Sequence, residues 1–238
     1  MLETLRSQAQ NDDARRELER RGLSMLTTGL AGVLGRRLGI ERLLVGDPVK
    51  SWDVLRTAQF IEAYVPKHQT VVDFGAFRSE ITGVLHRLGY SDLRAVDLNP
   101  RLLRGPYSGA IRYTVADFLA TKYPDGSCAA ITSISAVEHG HSLDRLLAEV
   151  ARLLRPGGYF LASTDYWPDK IDTGGIRIFD LDWTIFSASE MEALFAAAAA
   201  RGLHLVGAVD YGGAAPIISF AGKRYTFAWF ALQKRAPR

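Results

Sequence analysis

The chain has a single cysteine, Cys128, so these 238 residues can form no internal disulfide, and a lone thiol of this kind fits a reducing, cytoplasmic setting as a small apolar packing residue. No run of about 18 apolar residues is present, the length a membrane-spanning helix needs. The opening MLETLRSQAQNDDARRELERRG is charged throughout and holds no apolar segment of the secretory kind. Its 29 basic and 26 acidic residues form no like-charge block, so the net +3 marks no nucleic-acid-binding tail. What remains is ordinary: 47% hydrophobic and 23% charged residues, enough for one well-buried soluble domain with an extension and too few for two full domains. Residues 25–40, MLTTGLAGVLGRRLGI, are apolar, glycine-spaced and followed by basic residues. They read as a docking helix or loop, with contact to a membrane surface as the minor alternative.

From residue 68 onward short β-rich runs alternate with longer amphipathic stretches, the pattern of βαβ units feeding a parallel sheet. The spacing predicts strands at 70–74, 93–98, 111–117, 129–135 and 159–164. Helices are predicted at 80–89 and 143–154, the second stopped by Pro156-Gly157-Gly158, and another opens at the capping-box pair Ser187 and Glu190. Two last strands, 204–211 and 224–232, are joined by GGAAPIISFAGK. That link is too short for a crossover helix, so the pair must be antiparallel. The expected architecture is a doubly wound α/β domain over 66–238, with a seven-stranded sheet and an antiparallel last strand, preceded by a helical extension over 1–65 in which 54–65 packs beside the sheet.

In open α/β sheets ligands lie beyond the carboxyl ends of the strands, where strand order reverses. The residues there are 73–79, Asp97, Asp117 and Phe118, 133–139, and Asp165. A pyrophosphate site wants three glycines so that backbone can wrap the phosphates. VVDFGAFRSE has Gly75 alone, with Phe77 and Ser79 where the others would stand, and nearby aspartates would repel phosphate. An adenosine without phosphates meets neither objection: Asp97 follows Asp73 by 24 residues, the place of a ribose-binding acid, and Asp117 with Phe118 could serve an adenine. S-adenosylmethionine is such a ligand.

At this point the chain resembles the class I S-adenosylmethionine-dependent methyltransferases, and within them the group with a VLEH-like and an LKPGG-like segment. The matching stretches are VVDFGA at 71–76, AVDLNP at 95–100, VADF at 115–118, PDGSCAAITSISAVEH at 124–139 and RLLRPGGYFLAS at 152–163. The resemblance implies a Rossmann-like fold and roles for single positions. Asp73, Gly75, Ala76 and Phe77 would shape the turn under the methionine part of the cofactor; Asp97 and Leu98 would meet its ribose, Asp117 and Phe118 its adenine, and Ser133, Ile134 and Ser135 would close its other side.

Methyl transfer from a sulfonium is an in-line displacement, and a hydroxyl acceptor needs a base. His139 and Asp165, at the ends of neighbouring strands, are the expected base and its partner, with Asp165 alternatively contacting the acceptor hydroxyl; His139 as a helix cap or structural residue is the bland alternative. Some sugar O-methyltransferases resemble this placement. EHGH offers no evident third ligand, so no metal is expected. Arg78 opens a predicted helix, where a cation opposes the macrodipole, and either pairs with an anion of cofactor or acceptor or is simply solvated. Tyr166, Trp167, Phe179 and Trp183 in the segment 165–186 are candidates for a lid, and Lys223, Arg224 and Tyr225 for the acceptor side. The expected function is O-methylation of a small or carbohydrate-like acceptor, with no nucleic-acid partner and a homodimer left open. The alternatives are N- or C-methylation, or a regulatory subunit that binds the cofactor without turning it over.

Overall fold

The computed structural model describes residues 1–27, 35, 37–40, 44–140, 142–178, 180–212 and 215–236. The elements run β1 (Leu2–Thr4), α1 (Gln8–Arg20), α2 (Ser51–Tyr64), β2 (Thr70–Phe74), α3 (Ile81–Arg87), β3 (Asp92–Asp97), β4 (Ile111–Val115), β5 (Cys128–Ile134), α4 (Leu143–Leu153), β6 (Leu154–Tyr166), β7 (Arg177–Ile178), β8 (Leu181–Asp182), α5 (Ala188–Ala199), β9 (Leu203–Leu205), β10 (Ile218–Phe220) and β11 (Lys223–Lys234). The main sheet has the order β1-β11-β6-β5-β2-β3-β4, with β9 and β10 also paired to β11. Strands β2 to β6 are parallel neighbours, and β11 is antiparallel to β6 from Thr226↔Tyr166 to Gln233↔Tyr159. The chain leaves β2 toward β3 and β4, then returns to add β5 and β6 on the other side. A crevice therefore opens at the carboxyl ends of β2 and β5.

Alternating side chains send the sheet's two faces into separate cores. Val71, Ala95, Leu161, Phe227 and Trp229 pack with residues of α1, α2 and α3; Val72, Phe74, Ile131, Phe160 and Phe230 pack with α4 and α5. The capping box expected at α5 is present: Ser187 Oγ accepts from Glu190 N and the Glu190 carboxylate accepts from Ser187 N.

Two expectations change. The strand foreseen at 204–211 is paired to β11 only over Leu203–Leu205. Beyond it, the edge of β11 at Ala228–Phe230 is taken by β1, and residues 206–210 run outside β1, with Leu2 N donating to Ala208 O and Asp210 N to Leu2 O, both at 3.0 Å. The extension is thus not purely helical, because a three-residue strand has too few positions for alternation to show in sequence. The sheet accordingly holds nine strands rather than seven. Half of the stretch 25–40 lies outside the described residues; Met25, which is described, is buried against Gly83 of α3.

The extension is locked to the domain by charge as well as by strand pairing. Arg15 of α1 donates from both terminal nitrogens to Glu80 at 2.9 Å each, and Met25 N donates to the same carboxylate at 2.7 Å. Glu80 directly precedes α3 and is 2% exposed. Among the described residues no helix is long and apolar enough to cross a membrane.

Candidate active site

After β2 the chain turns sharply. Gly75 has φ +72°, and a Cβ placed on it would lie 2.6 Å from the Cβ of Ala136, so the position accepts glycine alone. The amides of Gly75 and Ala76 both donate to Val96 O at 3.1 Å, tying the turn to β3. The next left-handed residue is Arg78, φ +61°, and neither Phe77 nor Ser79 is in that region. The two expected glycines are therefore not required for this path. A left-handed arginine costs roughly 1–2 kcal/mol, which the surrounding turn must offset. Its guanidinium lies 5.1 Å from the centre of the Phe77 ring.

Asp97, at the end of β3, joins two loops: Oδ2 accepts from Phe77 N at 3.0 Å and Oδ1 from Asn99 N at 2.8 Å. Each oxygen keeps a lone pair for a further donor. Leu98 beside it is exposed. Asp73 is wholly buried; Oδ1 accepts from Thr132 Oγ1 at 2.7 Å while Oδ2 has no partner. Burial pushes its pKa up to about 7, against the pull of the Thr132 and Ser79 hydroxyls. Asp117 accepts from Leu119 N at 2.9 Å and pairs with Arg145 at 3.4 Å, and Phe118 is stacked on Phe74 at 5.3 Å. At the end of β5 the Ser133 and Ser135 hydroxyls are buried without partners, Ser135 at φ +49°, with Ile134 half-buried between them.

Phosphate-binding glycines are missing from this turn, yet a tight glycine cradle and three buried oxygens wanting partners line it. That donor and acceptor set fits a neutral-sugar nucleoside bearing a cation better than a dinucleotide. It is the test that S-adenosylmethionine has to pass here, and the residues pass it.

One strand further on the chemistry changes. Glu138, 2% exposed, follows β5, and its carbonyl accepts from Thr184 N at 3.0 Å. His139 is half-buried and its backbone bridges Trp183. The Trp183 indole donates to Asp165 Oδ2 at 2.7 Å. His139 thus meets Trp183 through its backbone and Asp165 meets it through the indole, so Trp183 stands between the two residues expected to act together. The other oxygen of Asp165, Oδ1, lies 3.7 Å from Lys50 Nζ, and that ammonium sits 3.3 Å from the centre of the Phe227 ring. Burial raises the Asp165 pKa, with Lys50, Trp183 and Tyr225 pulling it back.

Lys50 and Asp53 enter from the start of α2 and had no place in the sequence reading of the site. A signal existed: Asp53, Thr57 and Phe60 follow helical spacing and are all buried, so an acid stands on an apolar stripe. Of the segment 165–186, Tyr166 is core, its hydroxyl donating to Tyr211 O at 2.5 Å, while Trp183 packs edge-on to Tyr225 and Phe220. The segment also folds into the β7–β8 hairpin, and Phe179 and His141 lie outside the described residues.

Residues 72–162 match the family described as methyltransferase domain. Over these residues the chain is similar to class I methyltransferase domains. The chain is 31% identical over 81 residues to the sterol 24-C-methyltransferase erg-4 of Neurospora crassa, covering 32% of this chain and 21% of that protein. It is also 33% identical over 100 residues to the malonyl-[acyl-carrier protein] O-methyltransferase of Halorhodospira halophila, 40% of this chain and 34% of that one. The chain therefore spans only about a fifth to a third of the length of these relatives. In fold, the methyltransferase domain and its flanks superpose on the geranyl diphosphate C-methyltransferase of Streptomyces coelicolor A3(2), with a TM-score of 0.57 and 19% identity over 82% of this chain and 88% of that one.

Proposed function

We propose that the chain is an S-adenosylmethionine-dependent methyltransferase acting on a hydroxyl of a small, carbohydrate-like acceptor. The observation that carries this reading is the meeting of the glycine-cradled acid turn at the tip of β2 with the His139–Trp183–Asp165 link at the tips of β5 and β6. Bound, the cofactor supplies an electrophilic methyl on a sulfonium. The chain's own residues then divide the work. Asp73, Gly75, Ala76 and Phe77 form the turn beneath the amino-acid end, Asp97 and Leu98 take the ribose, Asp117 and Phe118 the adenine, and Ser133 to Ser135 close the far wall. His139 takes the proton of the acceptor hydroxyl. Asp165, held by Trp183, orients the acceptor and favours positive charge nearby.

Calorimetry with S-adenosylmethionine and turnover against a hydroxyl panel test the reading. His139→Ala should lower turnover by roughly 100-fold or more with cofactor affinity unchanged. A chain that binds the cofactor and consumes none with any acceptor would instead be a regulatory subunit.

A carbon acceptor is the second reading, favoured by the sterol and geranyl diphosphate C-methyltransferase likenesses and by the rings of Trp183, Tyr225 and Phe227 beside buried carboxyls. Such surroundings stabilise a carbon cation formed on methylation. In that case His139→Ala would leave turnover intact and Glu138→Gln would remove it.

A further inference from the structure

Three carboxyl groups from three elements converge at the acceptor end and are not used up by the fold. Asp53 of α2 is 0% exposed, and neither of its oxygens has a hydrogen-bond partner. Glu138 Oε2 and Asp165 Oδ1 are likewise buried without one. Burial dominates all three and drives them toward the neutral form; Asp53 rises to about 6 and Glu138 to about 8, and the neighbouring Asp165 pushes both of these up further. Lys50 is the cation that pulls all three back. Leaving several buried carboxylate oxygens unpartnered costs stability, so the cluster wants an explanation beyond folding.

Lys50 itself says what the cluster is shaped to hold. Its ammonium lies on the face of Phe227 and beside Asp165, an aromatic ring and a carboxylate around one positive nitrogen. That is the arrangement by which proteins recognise ammonium ligands. Tyr225 and Trp183 continue the wall, packed edge to face at 5.6 Å. Lys50 also lies on a short 3-10 turn, Pro48–Lys50, whose Asp47 caps Val49 N, so it is delivered by the segment leading into α2 rather than by the sheet.

We propose that Asp53, Glu138 and Asp165 form an acceptor subsite for a protonated amine, with the Lys50 ammonium holding that place in the free chain. This rests on the methyltransferase reading above and narrows it: the acceptor carries an amino group near the atom that is methylated. Three carboxyls facing one lysine leave room for a second positive charge, whereas a purely hydroxylic acceptor would leave the charge balance unchanged. An incoming amine displaces Lys50 from Asp165 and supplies the partners that Asp53 and Glu138 lack.

The test uses matched probes in the presence of S-adenosylhomocysteine: glucosamine against glucose, and tyramine against 4-hydroxyphenethyl alcohol, with binding read by ligand-observed NMR. The amine of at least one pair should bind at least 10-fold more tightly than its neutral counterpart. Asp53→Asn should bring that ratio near one while the protein's melting temperature shows it folded. Lys50→Ala should tighten the amine, since it removes the internal competitor; a merely structural lysine would weaken it or leave it unchanged. Equal binding within both pairs, binding of neither amine even by Lys50→Ala, or a preference that survives Asp53→Asn overturns the proposal. Titration with S-adenosylhomocysteine alone is the separate control: its failure to bind sinks the methyltransferase reading, and the amine preference is then still read on the cofactor-free chain.

Discussion

On the β2–β3 side of the crevice the acid at the strand tip is gripped by backbone amides: both oxygens of Asp97 accept from main chain, and Gly75 and Ala76 are bonded to β3. On the β5–β6 side the acids face side chains brought from afar, Trp183 from the segment after β6 and Lys50 from before α2. The first region is set within one turn and its neighbour strand, so its geometry is stiff before any ligand arrives. The second depends on the docking of an extension and a long excursion, and it keeps partnerless oxygens. On the proposed reading, the first side would hold the same cofactor every time, and the second is where acceptor identity would vary without disturbing the fold.

The harshest way to break that contrast is to cut the tie between the two regions. Glu80→Ala leaves Arg15 in its pocket without its carboxylate, and unfolding in denaturant should show a loss of about 3–5 kcal/mol. Cofactor affinity should fall with it, because Glu80 ends the turn that begins at Gly75. Asp97→Asn is gentler to the fold and confined to the first region. Calorimetry should find S-adenosylmethionine bound roughly 100-fold more weakly, the loss expected from two hydrogen bonds to a charged group. Trp183→Phe acts on the second region only: turnover should drop about 10-fold as Asp165 loses its donor, with cofactor affinity unchanged. An equal loss of affinity in that variant would erase the distinction between the two sides.

The pH profile of stability sharpens the comparison further. Asp53 and Asp73 have folded pKa values of about 6 and about 7, above the ordinary value of about 4 for an unfolded aspartate. Below pH 4 both states keep the proton and the groups cost nothing. From pH 4 upward the unfolded chain releases protons that the folded chain retains, so stability falls as pH rises, by roughly 1 kcal/mol per pH unit for each group until its folded pKa is passed, near 6 for Asp53 and near 7 for Asp73, while Glu138, pushed up to about 8, extends the fall beyond them. Asp73→Asn should flatten the upper part of that fall and Asp53→Asn the lower part, measured by thermal melts across the range. Asp92, Glu149 and Glu190 have lowered pKa values and act the opposite way, losing their contribution only as pH drops below about 4. The smallest effect belongs to Ser135, a left-handed residue with a buried unpartnered hydroxyl. Ser135→Gly should raise stability by about 0.5–1 kcal/mol and weaken cofactor binding.

How far the site could be read in the sequence follows the same divide. Gly75, Asp97 and the succession of β2 to β6 along the chain were visible because each rests on local pattern within a βαβ unit, where strand, turn and helix are consecutive. The Ser187–Glu190 capping box was visible for the same reason. Phe77 and Ser79 misled in one respect: counting glycines says how many are absent, and only the backbone says that the left-handed positions fall on Gly75 and Arg78. Lys50 and Asp53 were missed as site residues: the acid on the apolar stripe of α2 marks an unusual position, but only the packing of α2 against β6 says what it faces. Nor was β1, whose three residues join the sheet only because β11 outruns β9 and offers a free edge.

From its residues alone this protein was committed to a doubly wound sheet with an acid-lined, glycine-cradled turn at the point where strand order reverses. Periodicity and turn chemistry are local, so they act before the chain is compact. Which acids are buried, which of them share Lys50 and Trp183, and what the edge of β11 pairs with were decided only by tertiary packing. Those properties depend on desolvation and on partners distant in the chain, and neither exists until the layers have closed on one another.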